Sequence, residues 1–317
     1  GLQMGIMRIG HVDLNVLNIE ESRNYYEEIM GLTVTKEDAD GTLYFKCWDE
    51  WDKYSLVLRP SDEATFNRVA YKVKDDSDLD DLKIKIENKG IKTKFLEAGT
   101  VSDCGRVLEF ILPSGHEMHL YAFKEYIGKD TGTINPAPWP FKGKGIKAHW
   151  IDHALLMCQG PESVMEVTKF FIEVFGFTMT EQVCVGPNGS LQAATWLTCS
   201  STPHDIAFVA GAEVGMHHFA FFLDGWNDIL RAADVMGMHN VKIDVTPQRH
   251  GITRGETIYF FDPSGHRLET FAGLGYLAQP DMPVITWTED ELWRGIFYHT
   301  GVENGAFTTA YTLNAYK

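Results

Sequence analysis

The chain has 317 residues, 44% of them hydrophobic, and a formal net charge of −16. The length allows two units of about 150 residues with a sizeable core, and the negative charge argues against nucleic acid as a partner. No apolar run reaches the roughly 18 residues of a membrane helix; the first residues lack the regions of a secretory signal; and five cysteines without a C-x-x-C fit a reducing, cytoplasmic setting with no zinc–thiolate site.

Gly1–Gln3 reads as an expression remnant ahead of Met4. A strand is expected at 10–16, followed by a helix capped by Asn18 with Glu21 three residues on. That helix turns Tyr25, Tyr26, Ile29 and Met30 inward and stops at Gly31. Strands at 43–48 and 54–58 follow. The second unit has a strand at 68–73, a helix over 77–89 with Leu79, Leu82 and Ile86 inward and Gly90 behind it, and strands at 106–112 and 117–123. Residues 128–147, rich in Gly, Pro and Lys, then read as a linker.

The third unit has a strand at 152–157, a helix over 161–175 with Pro161 in its first turn and Gly176 after it, and strands at 192–197 and 205–209. Val164, Thr168, Phe171 and Phe175 share that helix's inner face. The fourth has a strand at 218–223, a helix over 225–236 with Trp226, Ile229, Leu230 and Ala233 inward and Gly237 as its stop, and strands at 257–261 and 267–271. Strand, helix and two or three strands thus recur four times. Residues past about 274 form an extension.

The halves repeat each other. Pro113-Ser-Gly-His116 is followed by Glu-Met-His119, and Pro263-Ser-Gly-His266 by Arg-Leu-Glu269; the two prolines lie 150 residues apart. His11 in Gly-His-Val-Asp matches His153 in Asp-His-Ala-Leu, and Arg68-Val-Ala-Tyr matches His218-Phe-Ala-Phe. A duplicated fold therefore carries one chemical set per half. His11, Arg68 and His119 contain an arginine, which cannot ligate a metal; this set reads as a remnant. His153, His218 and Glu269 are two imidazoles and a carboxylate on three strands, the facial arrangement that leaves positions open on a non-haem iron. Taken singly, each is an ordinary core or rim residue; their corresponding places in a repeat raise them above that. His217 points to the other face of a regular strand and is left out. His116 and His266 follow turns and read as supporting residues.

Over nearly its whole length the chain resembles the extradiol catechol 2,3-dioxygenases of the vicinal oxygen chelate superfamily. The resemblance rests on Gly10-His-Val-Asp-Leu, Cys104-Gly-Arg106, Pro113-Ser-Gly-His116, Asn135-Pro-Ala-Pro-Trp139 and above all 249–265, Arg-His-Gly-Ile-Thr-Arg-Gly-Glu-Thr-Ile-Tyr-Phe-Phe-Asp-Pro-Ser-Gly. It implies an α+β fold of four βαβββ modules paired into two domains: an N-terminal non-catalytic domain at 1–130, a linker at 131–147, a C-terminal catalytic domain at 148–273 and an extension at 274–317 near the site. It implies Fe(II), with Mn(II) the lesser alternative, on His153, His218 and Glu269. It makes His204, in Pro-His-Asp-Ile-Ala, an acid–base residue of near-neutral pKa, and His250 and Tyr259 hydrogen-bonding partners of the substrate. Leu155, Ile252, Thr253 and Phe307 become walls of a ring slot. The implied substrates are a catechol and O2, and the implied assembly is a homotetramer. The rival readings are another enzyme of the same fold, such as a glyoxalase-like isomerase, an epimerase or a 4-hydroxyphenylpyruvate dioxygenase, and a non-catalytic sequestering protein. Neither carries the set His204, His250 and Tyr259, and the sequestering protein would also lack a complete triad. The sequence leaves the ring substituent open.

Overall fold

Every predicted strand–helix unit forms, and each holds one strand more than its apolar alternation marks. The computed structural model describes residues 5–302 and 305–315; the reading of Gly1–Met4 lies outside them. Its first half runs β1 (Ile6–Val16), α1 (Ile19–Asn24), β2 (Thr33–Glu37), β3 (Leu43–Lys46), β4 (Leu56–Pro60), then β5 (Phe66–Val73), α2 (Asp76–Glu87), β6 (Thr93–Leu96), β7 (Val107–Ile111), β8 (Glu117–Tyr121). Its second half runs β9 (Ile151–Gln159), α3 (Pro161–Phe175), β10 (Thr178–Val185), β11 (Leu191–Thr198), β12 (Ile206–Gly211), then β13 (Gly215–Leu223), α4 (Trp226–Met238), β14 (Ile243–Arg249), β15 (Glu256–Phe261), β16 (Arg267–Ala272). The order is βαβββ four times.

Local chemistry sets the helices, with some departures from expectation. Asn18 Oδ1 accepts from the Glu21 amide at 3.0 Å and starts α1. The predicted continuation through Ile29 is instead a π-turn over Tyr25–Ile29. Tyr25 Oη donates to Phe261 O at 3.2 Å and Tyr26 Oη to Asp262 Oδ2 at 2.8 Å, both in the other half. In α4, Gly237 lies inside the helix, and Asn240 takes the left-handed backbone instead. Leu230 is 52% exposed, because the buried stripe runs through Ile229, Ala232 and Met236.

The strands make two sheets, ordered β2-β3-β4-β1-β5-β8-β7-β6 and β14-β15-β16-β13-β9-β12-β11-β10. In each, two modules join through an antiparallel central pair, β1 with β5 and β9 with β13. The extension adds β17 (Ile285–Thr288) beside β10 and β18 (Thr312–Leu313) beside β13. The largest buried apolar cluster is continuous across both halves, from Tyr26, Val69 and Phe110 to Ile151, Phe171 and Phe260.

The repeated Pro-Ser-Gly-His turns face across this junction. His116, fully buried, lies 2.8 Å through Nε2 from Gly215 O on β13. His266, also fully buried, lies 2.8 Å through Nε2 from Asn15 O on β1. A carbonyl only accepts, so each ring donates there. Gly215 is required where it stands, since a Cβ would come within 2.1 Å of Thr312 O on β18.

Candidate metal centre

Strand register brings the triad together. β16, β13 and β9 are neighbours in the sheet. Ala220 on β13 pairs with Glu269 on one side and His153 on the other, and His218 lies two residues before it on the same face. Three ligand-type side chains therefore stand around a methyl group. His153 Nε2 is 2.9 Å and His218 Nε2 3.2 Å from Glu269 Oε1. Ligand atoms at right angles, each about 2.1 Å from a common ion, stand about 3 Å apart. The donor set and its spacing fit a divalent metal.

The remaining polar atoms of the three residues are already engaged. His153 Nδ1 lies 2.7 Å from Asp152 Oδ2, His218 Nδ1 2.7 Å from His217 Nδ1, and Glu269 Oε2 accepts from Thr257 Oγ1 at 2.6 Å. Such partners fix ring orientation and leave Nε2 and Oε1 for the ion. Asp152, Thr257 and His217 escape sequence reasoning. For His217 the reason is a β-bulge: the β13–β9 register slips between Met216 and His218, so His217 lines the same cavity instead of the opposite face.

The triad is buried, with His153 and Glu269 1% and His218 2% exposed. Burial disfavours charge on His153, but hydrogen bonds to Asp152 and Glu269 overcome it and push its pKa up to about 9. His218 is pushed down to about 4, chiefly by burial. Burial alone would raise Glu269, yet hydrogen bonds with His153, His218 and His250 hold it well below the carboxylate range. In the metal-free site His153 is thus the charged imidazole, between the carboxylates of Asp152 and Glu269.

All ten residues singled out from the sequence line one cavity of about 240 Å³. His204 lies against His153, ring centroids 3.9 Å apart, with a buried Nδ1 that has no hydrogen-bond partner. Its expected near-neutral pKa is not found: burial, reinforced by the charge of His153, holds it well below the imidazole range. The ring is therefore neutral in the metal-free protein. His250 donates from Nδ1 to Ile296 O at 2.6 Å, which turns Nε2 toward Tyr259 Oη (2.9 Å) and Glu269 Oε2 (3.0 Å). Ile252 and Thr253 reach the cavity on a strained turn, with Thr253 at φ 64°, whose amide donates to buried Glu181. Leu155 and Phe307 line the remaining wall, Phe307 from the extension.

The corresponding place in the first half is an ion-pair network. Arg68 Nη1 binds Asp13 Oδ2 at 2.8 Å and its Nε binds Glu117. His11 Nδ1 lies 2.9 Å from Lys124 Nζ, and His119 Nε2 2.8 Å from Glu109. Glu109, Glu117 and His119 do converge, but the guanidinium occupies Glu117.

The fold and triad define a class. Residues 150–270 match the Glyoxalase/Bleomycin resistance protein/Dioxygenase superfamily, and residues 67–125 the catechol 2,3-dioxygenase-like N-terminal domain. The chain is 42% identical to a metapyrocatechase of Pseudomonas sp. (strain CF600), over 98% of this chain and 100% of the relative. It is 32% identical to a manganese-dependent 2,3-dihydroxybiphenyl 1,2-dioxygenase of Geobacillus genomosp. 3, over 93% and 94%. The crystal structure of the 2,3-dioxygenase LapB from Pseudomonas sp. KL28 superposes with a TM-score of 0.87 at 42% identity, covering 91% of this chain and 99% of that one. The chain belongs to the metapyrocatechase (catechol 2,3-dioxygenase) family of metal-dependent extradiol enzymes, with the vicinal oxygen chelate fold.

Proposed function

We propose that the chain opens the ring of catechol or a substituted catechol at the 2,3 bond. Both atoms of O2 enter the product, 2-hydroxymuconic semialdehyde, and His153, His218 and Glu269 hold Fe(II) rather than Mn(II). The observation that carries this reading is the convergence of two imidazole nitrogens on one carboxylate oxygen, each about 3 Å from it, in a cavity that also holds His204, His250 and Tyr259 and is otherwise mostly apolar. A metal there supplies a common binding point for the diol oxygens and O2, whose direct reaction is spin-forbidden.

The side chains do the rest. Leu155, Ile252 and Phe307 clamp the ring by apolar contact and exclude water. Tyr259 and His250, in mutual hydrogen-bond contact, orient and stabilise the diol oxygens. Neutral His204 takes a proton from the bound diol and returns it when the ring opens. Beyond the metal end the lining is mostly apolar, including Val183, Ala193, Val209 and Leu292, and among the described residues it holds no lysine or arginine. A neutral, apolar ring substituent suits it; a carboxylate would be buried without a cation. Residues 148–273 carry the chemistry and residues 1–130 support them. The assembly is a homotetramer in the cytoplasm; among the described residues no helix is long and apolar enough to cross a membrane.

The test is anaerobic loading with Fe(II), then catechol and O2. A yellow ring-fission product that depends on Fe(II) is expected, with the Mn(II)-loaded protein slower. No colour from fully iron-loaded protein across several catechols overturns the reading. Light scattering at a mass other than four chains overturns the tetramer.

A further inference from the structure

His217 belongs to neither the triad nor the three residues expected around the substrate, yet it is buried in the same cavity and bonded at both nitrogens. Its Nε2 lies 2.5 Å from the carbonyl oxygen of Phe307, and its Nδ1 lies 2.7 Å from His218 Nδ1. Phe307 sits in the helical turn Ala306–Thr309, whose ring contacts His217 at 4.7 Å and Tyr259 at 4.8 Å. The turn is tied down by Arg267, which donates to Ala310 O at 2.6 Å, and by β18, which pairs with β13 at Gly215 and Met216.

With a metal on His218 Nε2, proton placement along this chain is determined. A carbonyl only accepts, so His217 carries hydrogen on Nε2. For His218 to present a lone pair at Nε2, its own hydrogen must sit on Nδ1, and that hydrogen needs an acceptor. Among the described residues the acceptor is His217 Nδ1. One tautomer of each ring satisfies all three groups. We propose that His217 is a positioning residue that couples the C-terminal segment to the metal: the Phe307 carbonyl sets the tautomer of His217, and His217 sets that of His218. The cover over the cavity and the competence of one ligand are then one event. This inference rests on the metal reading of the triad.

Two substitutions separate the two ends. In His217→Asn the amide oxygen replaces Nδ1 and accepts from His218 but falls short of Phe307. In His217→Gln the longer amide reaches Phe307 and leaves His218 without its acceptor. His217→Phe removes both bonds. Metal affinity is read by chelator competition with Mn(II), and the C-terminal segment by hydrogen exchange of peptides spanning 305–313. His217→Phe is expected to weaken metal about 10–100-fold and to speed exchange. Asn is expected to restore affinity but not protection, and Gln protection but not affinity. Should the Phe variant fail to fold, the Asn and Gln pair decides alone. Asn and Gln behaving alike, or a folded Phe variant with wild-type affinity, overturns the coupling. A wild type that takes up no metal overturns the metal reading first and the coupling with it. Nitrogen-15 NMR of the Zn(II)-loaded wild type should show His217 protonated at Nε2; protonation at Nδ1 overturns the coupling alone.

Discussion

Asp152→Asn tests the metal centre through a residue that touches neither metal nor substrate. Asp152 is 8% exposed, with Oδ2 2.7 Å from His153 Nδ1 and Oδ1 3.3 Å from the indole nitrogen of Trp150. Both neighbours donate, so the carboxylate accepts twice. An amide of the same shape has one oxygen. If its nitrogen faces His153, the ring is driven to the tautomer with hydrogen on Nε2, where the metal must bind. If it faces Trp150, donor meets donor, and His153 keeps only a neutral acceptor. Losing charge assistance at a buried hydrogen bond costs about 1–2 kcal/mol, which is about tenfold in metal affinity. In the metal-free protein the pKa of His153 should fall from about 9, since the Asp152 bond leads the causes that hold it up against burial. The assays are chelator competition under nitrogen and NMR titration of His153. A variant with wild-type affinity and an unshifted His153 titration would refute the reasoning.

Three further outcomes are expected. His204→Phe, a near-isosteric change at a ring whose centroid lies 3.9 Å from that of His153, should keep metal and lose about a hundredfold in kcat; normal turnover sinks the proton-transfer role. His153 is protonated in the metal-free protein up to about pH 9. That proton stabilises the metal-free fold below its ordinary pKa, and the contribution fades as pH rises through 9. A metal must displace it, so affinity should fall about tenfold per pH unit below 9 and level off above; calorimetry finding pH-independent affinity counts against this. Metal at a hundred times its Kd should add about 2.7 kcal/mol to unfolding, seen as a higher Tm reversed by chelator; an unchanged Tm would mean no selective binding to the folded state.

The legible part of this molecule is what repeats. His153, His218 and Glu269 stood out because their counterparts occupy corresponding positions, and the helices because their apolar stripes end at glycines. His204, His250 and Tyr259 came from family resemblance; spacing marks none of them. The strands missed after the helices, β2, β6, β10 and β14, share a cause. Three are sheet edges and the fourth is flanked only by the extension, so their faces are half-wet and the alternation is blurred: Thr33–Glu37 contains no buried residue. His217 was lost to a bulge, a local break in the two-residue period. Asp152 and Thr257 are not legible because a residue that only supports a ligand has no signature of its own.

The reciprocal bonds of His116 and His266 bear on how far each half depends on the other. The first half's turn rests on the carbonyl of Gly215, at the head of the strand that carries His217 and His218. The second half's turn likewise rests on the first half's Asn15. Removing the first half would strip buried polar groups of their partners, at about 1–3 kcal/mol each, and open the shared core. Each half is thus part of the other's foundation, and the first half is held in the chain by packing and buried hydrogen bonds, whatever becomes of its own ligand-type residues.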